Sequence, residues 1–539
     1  GVVLPLLNVI MAAIWTLGLM AVMRAPLDLI TSALPVFLIT ICGADAIHMM
    51  SEYYTQRGEG FAPKEAARRT VREMFSPVVL TTLTTLAGFL FATSTNISSI
   101  RSFGIYMASG LVFAQLIALT LIPCWIALFG HAWLKKKQAS HSEAKHSWLG
   151  EALARLFMPV LRQRLLLTLL FVGLIAGAGF MATRIHVEDA GSGYFAASNP
   201  FRQADDFVNH HLAGTSPGWI EVSGPGPRSM VTLEAVQFIA KLDAFLEQEP
   251  NVTFTYSVPK YVQRMNLVMH DMDPAYDRLP NVKEQVRWQD PDTGVTQEET
   301  ISGDDIVSQS ILMYENGGGS DLTNVLNGDF SKAVTLFVMN TTKASEYEAL
   351  LDRLDTWLAQ NKPAAYQIKL GGSPVIWTGV LHEIIKGQLS SFVLAYLAVT
   401  LVLMLWLRSW QQGLLASLPL AATMVCYYGL MTLLGIDLNI GTAIISFLIV
   451  GIVDYSVHYL HRISSARKLG LDLDAALLYA IRHSGQSIAF NVLVFSCGFM
   501  TLLLSEFQPI IDLGILVAMA LSISGCMSLF LISLLAPLF

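Results

Sequence analysis

Two short stretches of this 539-residue chain place a carboxylate and an imidazole together inside an apolar run: Gly43-Ala44-Asp45-Ala46-Ile47-His48 and Gly451-Ile452-Val453-Asp454-Tyr455-Ser456-Val457-His458. A helix brings residues i, i+3 and i+4 to one face, so Asp45 stands beside His48 and Asp454 beside His458. An acid and an imidazole so placed can pass a proton within the physiological pH range. Tyr455 and Tyr459 flank the second pair, and both are candidate donors to Asp454; ordinary helix packing accounts for Tyr455 equally well. Ionisable groups at bilayer depth cost roughly 2.5 to 3.5 kcal/mol each on insertion scales, so two such pairs need a reason, and proton movement is the leading one. The competing reading is a self-satisfied hydrogen bond within a bundle, or groups near a boundary that snorkel to water.

The pairs are related by duplication. At a constant offset of 410, His48 falls on His458, Gly60 on Gly470, Arg72 on Arg482, Gly88 on Gly498, Phe89 on Phe499 and Gly104 on Gly514. Leu27-Asp28-Leu29 returns as Ile436-Asp437-Leu438 with a small shift. A repeated membrane unit follows, whose two acid-bearing helices face each other at a pseudo-twofold axis. Gly88 and Gly498 are read as points of close helix approach. Thr81, Thr82, Thr84 and Thr85, with Asn491 at the position matching Thr81, supply helix-to-helix hydrogen bonds near the pairs.

The elements that hold these residues are membrane spans. Hydrophobic residues make up 53% of the chain, charged residues 14%, and mean hydropathy is +0.52, too apolar for a soluble protein of this length. Apolar runs at about 3–23, 30–54, 76–94, 103–130, 164–182, 388–407, 413–434, 440–460, 485–505 and 511–538 predict ten spanning helices. The fold class is an α-helical polytopic membrane protein with an inserted α/β domain. Its expected parts are a first transmembrane half at 1–130, a basic, Ser/His-rich linker at 131–162, a helix at 163–183, an exported domain at 184–385 and a second half at 386–539. An amphipathic stretch from Trp148 to Leu161 suits the inner leaflet.

The block 184–385 holds 14 basic and 27 acidic residues, a net of −13, whereas basic residues cluster in the connections near Arg57–Arg72, Lys135–Arg164, Arg408 and Arg462–Arg482. The positive-inside rule makes those four connections cytoplasmic and puts the acidic block outside. Within it, 219–222 and 252–258 read as strands around a helix at 231–246; 333–339 and 366–370 repeat the order around a helix at 345–358. That is a split, ferredoxin-like arrangement. The apolar face of the 231–246 helix, with Trp219 and 333–339, is expected to line a greasy passage, and 259–330 to be a long mobile insertion. The five cysteines lie in apolar helices and read as core thiols.

Several functions are excluded. No GxxxxGK[ST] run exists, so the chain does not drive itself by nucleotide hydrolysis; His382-Glu383 lacks a second His for a zinc protease; and the acidic domain would repel nucleic acid. An acyl-transfer enzyme using His48 or His458 as base has no placed nucleophile.

The duplicated bundle, the α/β domain ahead of the second half and the acid-His pairs resemble the resistance-nodulation-division superfamily. More narrowly, the chain looks like its small-headed lipid exporters, similar to the mycobacterial membrane protein large (MMPL) and hopanoid-exporter groups, with Patched and the sterol-sensing domain as relatives. The residues carrying the likeness are Asp45-Ala46-Ile47-His48-Met49-Met50, Glu65 to Gly88, Trp406-Leu407-Arg408-Ser409 before Leu418-Pro419-Leu420, and Gly451 to His458 with His461-Arg462. The likeness implies twelve helices in the whole protein, so this chain corresponds to helices three to twelve and an N-terminal portion is expected to be missing. It implies a proton relay at Asp45, His48, Asp454, His458 and Tyr455, no enzymatic activity and no cofactor or metal. It further implies export of a lipid or other hydrophobe from a bacterial inner membrane, a periplasmic position for the domain, an oligomer (dimer or trimer) and periplasmic accessory proteins. The family often pairs Asp with Tyr in both halves; here Ala46 follows Asp45, which lies one residue out of register with Asp454, so unequal roles for the two acids are expected. A lipid- or sterol-sensing receptor or scaffold is the alternative.

Overall fold

A computed structural model describes residues 3–28, 30–134, 148–188, 191–289, 296–445, 449 and 454–538. The chain divides into two compact units, one formed by 1–187 with 382–539 and the other by 188–381.

The first half of the larger unit contains α1 (Val3–Val22), α2 (Leu34–Gly58), α3 (Pro63–Phe91) and α4 (Ser98–Leu134), followed by α5 (Trp148–Arg162) and α6 (Arg164–Ala182). No residue of α6 is buried, and Leu165, Leu166, Leu169 and Leu170 are each more than 60% exposed. Such a leucine surface is stable where the surrounding solvent is lipid, because a helix satisfies its own backbone polar groups there.

The smaller unit begins with α7 (Pro200–His211) and continues through β1 (Ser216–Ser223), α8 (Leu233–Glu247), β2 (Val252–Tyr256), α9 (Val258–Met269), β3 (Lys283–Gln289), β4 (Thr296–Ser302), α10 (Gly303–Asn316), β5 (Lys332–Met339), α11 (Ala344–Asn361) and β6 (Gln367–Gly372). The main sheet runs β2-β5-β1-β6 with every neighbouring pair antiparallel, so β5 lies between β1 and β2, as a split βαβ arrangement requires. Trp219 pairs with Leu336 and Glu221 with Val334, which fixes which side chains share a face. The ferredoxin-like expectation is met.

Two expectations for this unit change. The described residues of 259–330 are folded where a mobile insertion was expected: α9, the paired strands β3 and β4, and α10 occupy it, with Ser302 capping α10 by accepting from Asp305 N at 3.2 Å; 290–295 lie outside the described residues. The apolar face of α8 lines no passage either. Val236, Ile239, Leu242 and Leu246 are buried in the unit's own core, each a side chain worth roughly 1.5 to 3 kcal/mol of transfer energy.

In the second half, α12 (Ser373–Leu407) and α13 (Trp410–Leu434) lead to a single turn, α14 (Ile440–Ala443), then α15 (Asp454–Lys468), α16 (Leu473–Ala480), a π turn (Ile481–Gly485), α17 (Gln486–Met500) and α18 (Gln508–Leu535). Among the described residues, eight helices are long and apolar enough to cross a membrane. The two remaining predicted spans, 30–54 and 440–460, carry the acid-His pairs. The first is α2, a continuous helix of 25 residues, and part of the second (446–448 and 450–453) lies outside the described residues.

The duplication is visible in three dimensions. A Cβ on Gly104 would sit 2.5 Å from the Phe89 carbonyl oxygen, and one on Gly514 would sit 2.7 Å from that of Phe499, so both halves cross their third and fourth helices at the same glycine. Gly498 meets nothing within 4 Å, so in the second half the close approach expected at Gly498 belongs to Gly514 instead. Gly60 and Gly470 both end a helix at positive φ, 94° and 88°, where a side chain would be strained. The loops before the acid-bearing helices also match. Asp28 and Thr31 exchange backbone-to-side-chain bonds of 2.8 and 2.7 Å, and Asn439 and Thr442 repeat them at 2.8 and 2.9 Å. Asp28 therefore corresponds to Asn439, not to the Asp437 of the sequence echo.

Helix α5, expected on the inner leaflet, packs its apolar face on the second half: Phe157 lies 4.5 Å from Phe530, ring to ring, and Glu151 pairs with Arg482 at 3.3 Å. Of the cysteines, Cys42 and Cys426 are buried, while Cys124, Cys497 and Cys526 are exposed on helix surfaces, so only two are core thiols.

Candidate functional site

A cavity of about 270 Å³ opens within the larger unit, between helices of the two repeats. Glu52 and Gln56 reach it from α2, and Glu73 and Pro77 from α3. From the second half, α15 supplies Tyr455, His458, His461 and Arg462; Ser484, Ser487 and Asn491 close the far wall. The lining is graded. Glu73, His461 and Arg462 are exposed, His458 is half-buried, and Tyr455 and Asn491 are 5% and 6% exposed at the deep end. A polar funnel of this kind admits water, since each of its walls offers hydrogen-bonding groups.

Both repeats interrupt a helix at the same place to make it. Pro77 sits inside α3, and its missing N–H leaves the Glu73 carbonyl without its helical partner. In the second half, residue 483 corresponds to 73, and the π turn Ile481–Gly485 surrounds it. π turns and proline breaks both release backbone groups locally and recur at functional sites.

Helix α15 is fixed by hydroxyl pairs to α18: Ser456 Oγ lies 3.0 Å from Ser528 Oγ, and Tyr459 OH lies 2.7 Å from Ser533 Oγ. Tyr459 is thus a packing and anchoring residue, not a donor to Asp454. With Ser456 and Tyr459 held on α18, His458, His461 and Arg462 turn to the cavity, and Tyr455, one turn before Tyr459, lies at its deep edge. Asp454 opens α15, half-buried, on the same helical face as His458.

Of the five residues expected to relay protons, two, Tyr455 and His458, line the cavity, and Asp454 adjoins it in sequence. Asp45 and His48 lie on α2, but their side chains are outside the described residues. Glu52, Glu73 and Gln56 were missed by sequence reasoning. The signal existed for Glu52, which stands four residues after His48 and seven after Asp45, on one helical stripe. Nothing local marked Glu73, because its approach depends on how α3 packs. The threonines of α3 mostly turn inward on their own helix: Thr81, Thr84 and Thr85 donate to carbonyls one turn back at 2.8 to 3.1 Å, while Thr82 crosses to Gln115 of α4. Among the described residues, no three His, Cys, Asp or Glu side chains gather closely enough to hold a metal ion.

Comparison with known proteins divides along the same two halves. Residues 2–147 match the sterol-sensing domain of SREBP cleavage-activation, and residues 261–539 match the MMPL family. A membrane protein of Methanocaldococcus jannaschii is 32% identical over 126 residues, which is 23% of this chain and 32% of that protein. The chain thus spans about a third of the length of that relative.

Proposed function

Because the chain belongs to the MMPL family, we propose that it is a proton-driven exporter of a lipid or similar hydrophobe, with Asp454, His458 and Tyr455, and Asp45 with His48, as its proton-handling groups. Membership in a multi-pass family of the resistance-nodulation-division type makes transport of a hydrophobic molecule the parent activity. The observation that carries the proton coupling is the polar cavity between the repeats, which brings water-accessible groups to His458 and Tyr455 in the middle of an apolar bundle. Each proton entering down about 100 mV supplies roughly 2.3 kcal/mol from the potential alone, so one or two per cycle suffice for modest lipid extraction. The cell membrane of a bacterium, with the 188–381 unit on its outer side, is the setting this reading requires, because the basic connections mark the opposite face as cytoplasmic. Partners would be the lipid itself, further copies of the chain and periplasmic accessory proteins.

The test begins with the lipid retained through mild purification, identified by mass spectrometry and reconstituted in proteoliposomes. Export under an imposed proton gradient should be abolished by Asp454→Asn, which keeps the side-chain shape and removes the titrating charge. Full export by that variant rejects the assignment.

The match of residues 2–147 to a sterol-sensing domain favours a second reading, a lipid-responsive receptor or scaffold. The two part on proton dependence: a sensor keeps its output in Asp454→Asn and in the presence of a protonophore, and an exporter loses it.

A further inference from the structure

The two repeats contribute opposite charges to the cavity between them. Position 52 is Glu in the first half, and its counterpart at offset 410 is Arg462; position 73 is Glu, and its counterpart is His483. The first half therefore supplies the carboxylates, Glu52 and Glu73, and the second half supplies His458, His461 and Arg462, with Tyr455 deepest. The wall from the π turn and α17 is uncharged there, being Ser484, Ser487, Ile488 and Asn491. Arg462, with Lys468 near His461, faces the carboxylates across the opening, so Glu52 and Glu73 are the lining groups that can accept a proton ahead of His458. Gln56 donates to Glu52 Oε1 at 2.9 Å and so holds that carboxylate in place along the path.

The exposed end, at Glu73, His461 and Arg462, lies toward the helix ends joined by 59–62 and 469–472, next to the basic connections. We infer that this cavity is an aqueous antechamber through which His458 exchanges protons with the face carrying the basic connections, with Glu73 as the outer and Glu52 as the inner proton-accepting group. The inference rests on the proton-coupling reading above and adds to it a direction and two residues. It also accounts for the paired helix breaks: Pro77 and the Ile481–Gly485 turn open the bundle on opposite walls of one water-filled space.

Two measurements on the full chain in native-like vesicles test it. In a background with the five native cysteines replaced, Ser465→Cys and Ser487→Cys, both in the cavity lining, are exposed to a membrane-impermeant, negatively charged methanethiosulfonate. Both should react in inside-out vesicles and stay protected in right-side-out ones; the reverse pattern, or protection in both, overturns the antechamber. Separately, the infrared carboxyl band that Asp454→Asn removes is followed after a pH jump on the basic-connection side. Because it removes both proton acceptors between water and His458, the paired Glu52→Gln and Glu73→Gln variant should slow that protonation by about tenfold or more. An unchanged rate with the band present overturns the roles of Glu52 and Glu73. If Asp454→Asn removes no titrating band, it is the proton-coupling reading that fails, and the antechamber's role in proton exchange falls with it.

Discussion

At the scale of single residues, sequence identified the acid-His pairs but could not rank the side chains around them. Tyr455 and Tyr459 looked alike as neighbours of Asp454, one turn apart on one helix. Their partners separate them: Tyr459 bonds to Ser533, while Tyr455 faces the cavity. Tyr459→Phe should therefore leave export intact and cost only about 0.6 kcal/mol, the average for a hydroxyl bond between membrane helices, measured by thermal unfolding in detergent. His458→Phe should impair export strongly yet less than Asp454→Asn; a larger defect from His458→Phe in the proteoliposome assay would invert the assigned roles. Away from the membrane, Asp243 is a buried acid whose Oδ2 takes the Ser257 hydroxyl, with Lys260 nearby. Burial pushes its carboxyl up to about 6 from 3.8. The folded unit then binds this proton more tightly than the unfolded chain does. Its contribution to stability is complete below the ordinary aspartate value and is lost as pH rises through about 6, roughly 3 kcal/mol in all. Asp243→Asn should flatten that dependence and make the unit more stable at pH 8, read from denaturant unfolding followed by tryptophan fluorescence at several pH values.

At the scale of elements, apolar periodicity was sufficient to find the helices and the strands of the α/β unit, because hydrophobic spacing is written locally. It did not tell which neighbour each face would meet. The apolar stripe of α8 reads the same whether it lines a lipid passage or a core, and the buried Val236, Ile239 and Leu242 decide for the core. Leu242→Asp should consequently unfold the 188–381 unit, at a cost of 3 kcal/mol or roughly more for an unpaired buried charge, not merely block a path within an intact domain; limited proteolysis separates the two outcomes. The same limit applies to the helix-crossing glycines. Gly88, Gly104, Gly498 and Gly514 are all repeat positions, but a carbonyl oxygen stands against only Gly104 and Gly514 among those whose surroundings are described. Gly104→Ala and Gly514→Ala should each destabilise the bundle by about 1 to 3 kcal/mol through overpacking, and Gly498→Ala should be near neutral. Equal melting temperatures for Gly104→Ala and Gly498→Ala would contradict that crossing geometry.

At the scale of the whole molecule, composition, the 410-residue offset and the charge of the connections were enough to establish a duplicated, multi-pass protein with an α/β insertion, and to place it near the family it belongs to. The same reasoning predicts that tags in the 57–72 and 467–482 connections report one side of the membrane and tags within 188–381 the other, checked by protease protection in sealed vesicles. These properties are legible from the chain alone because they are sums over many residues or repeats at fixed spacing, and each local error averages out. The cavity is of the other kind. Glu73 comes from one helix, Arg462 from another nearly 400 positions later, and Pro77 and the Ile481–Gly485 turn adjoin the opening between them. Sequence determined that an acid and an imidazole would stand together in two apolar segments; tertiary packing decided which side chains line one cavity, because that depends on where helix axes cross, and no local pattern encodes a crossing.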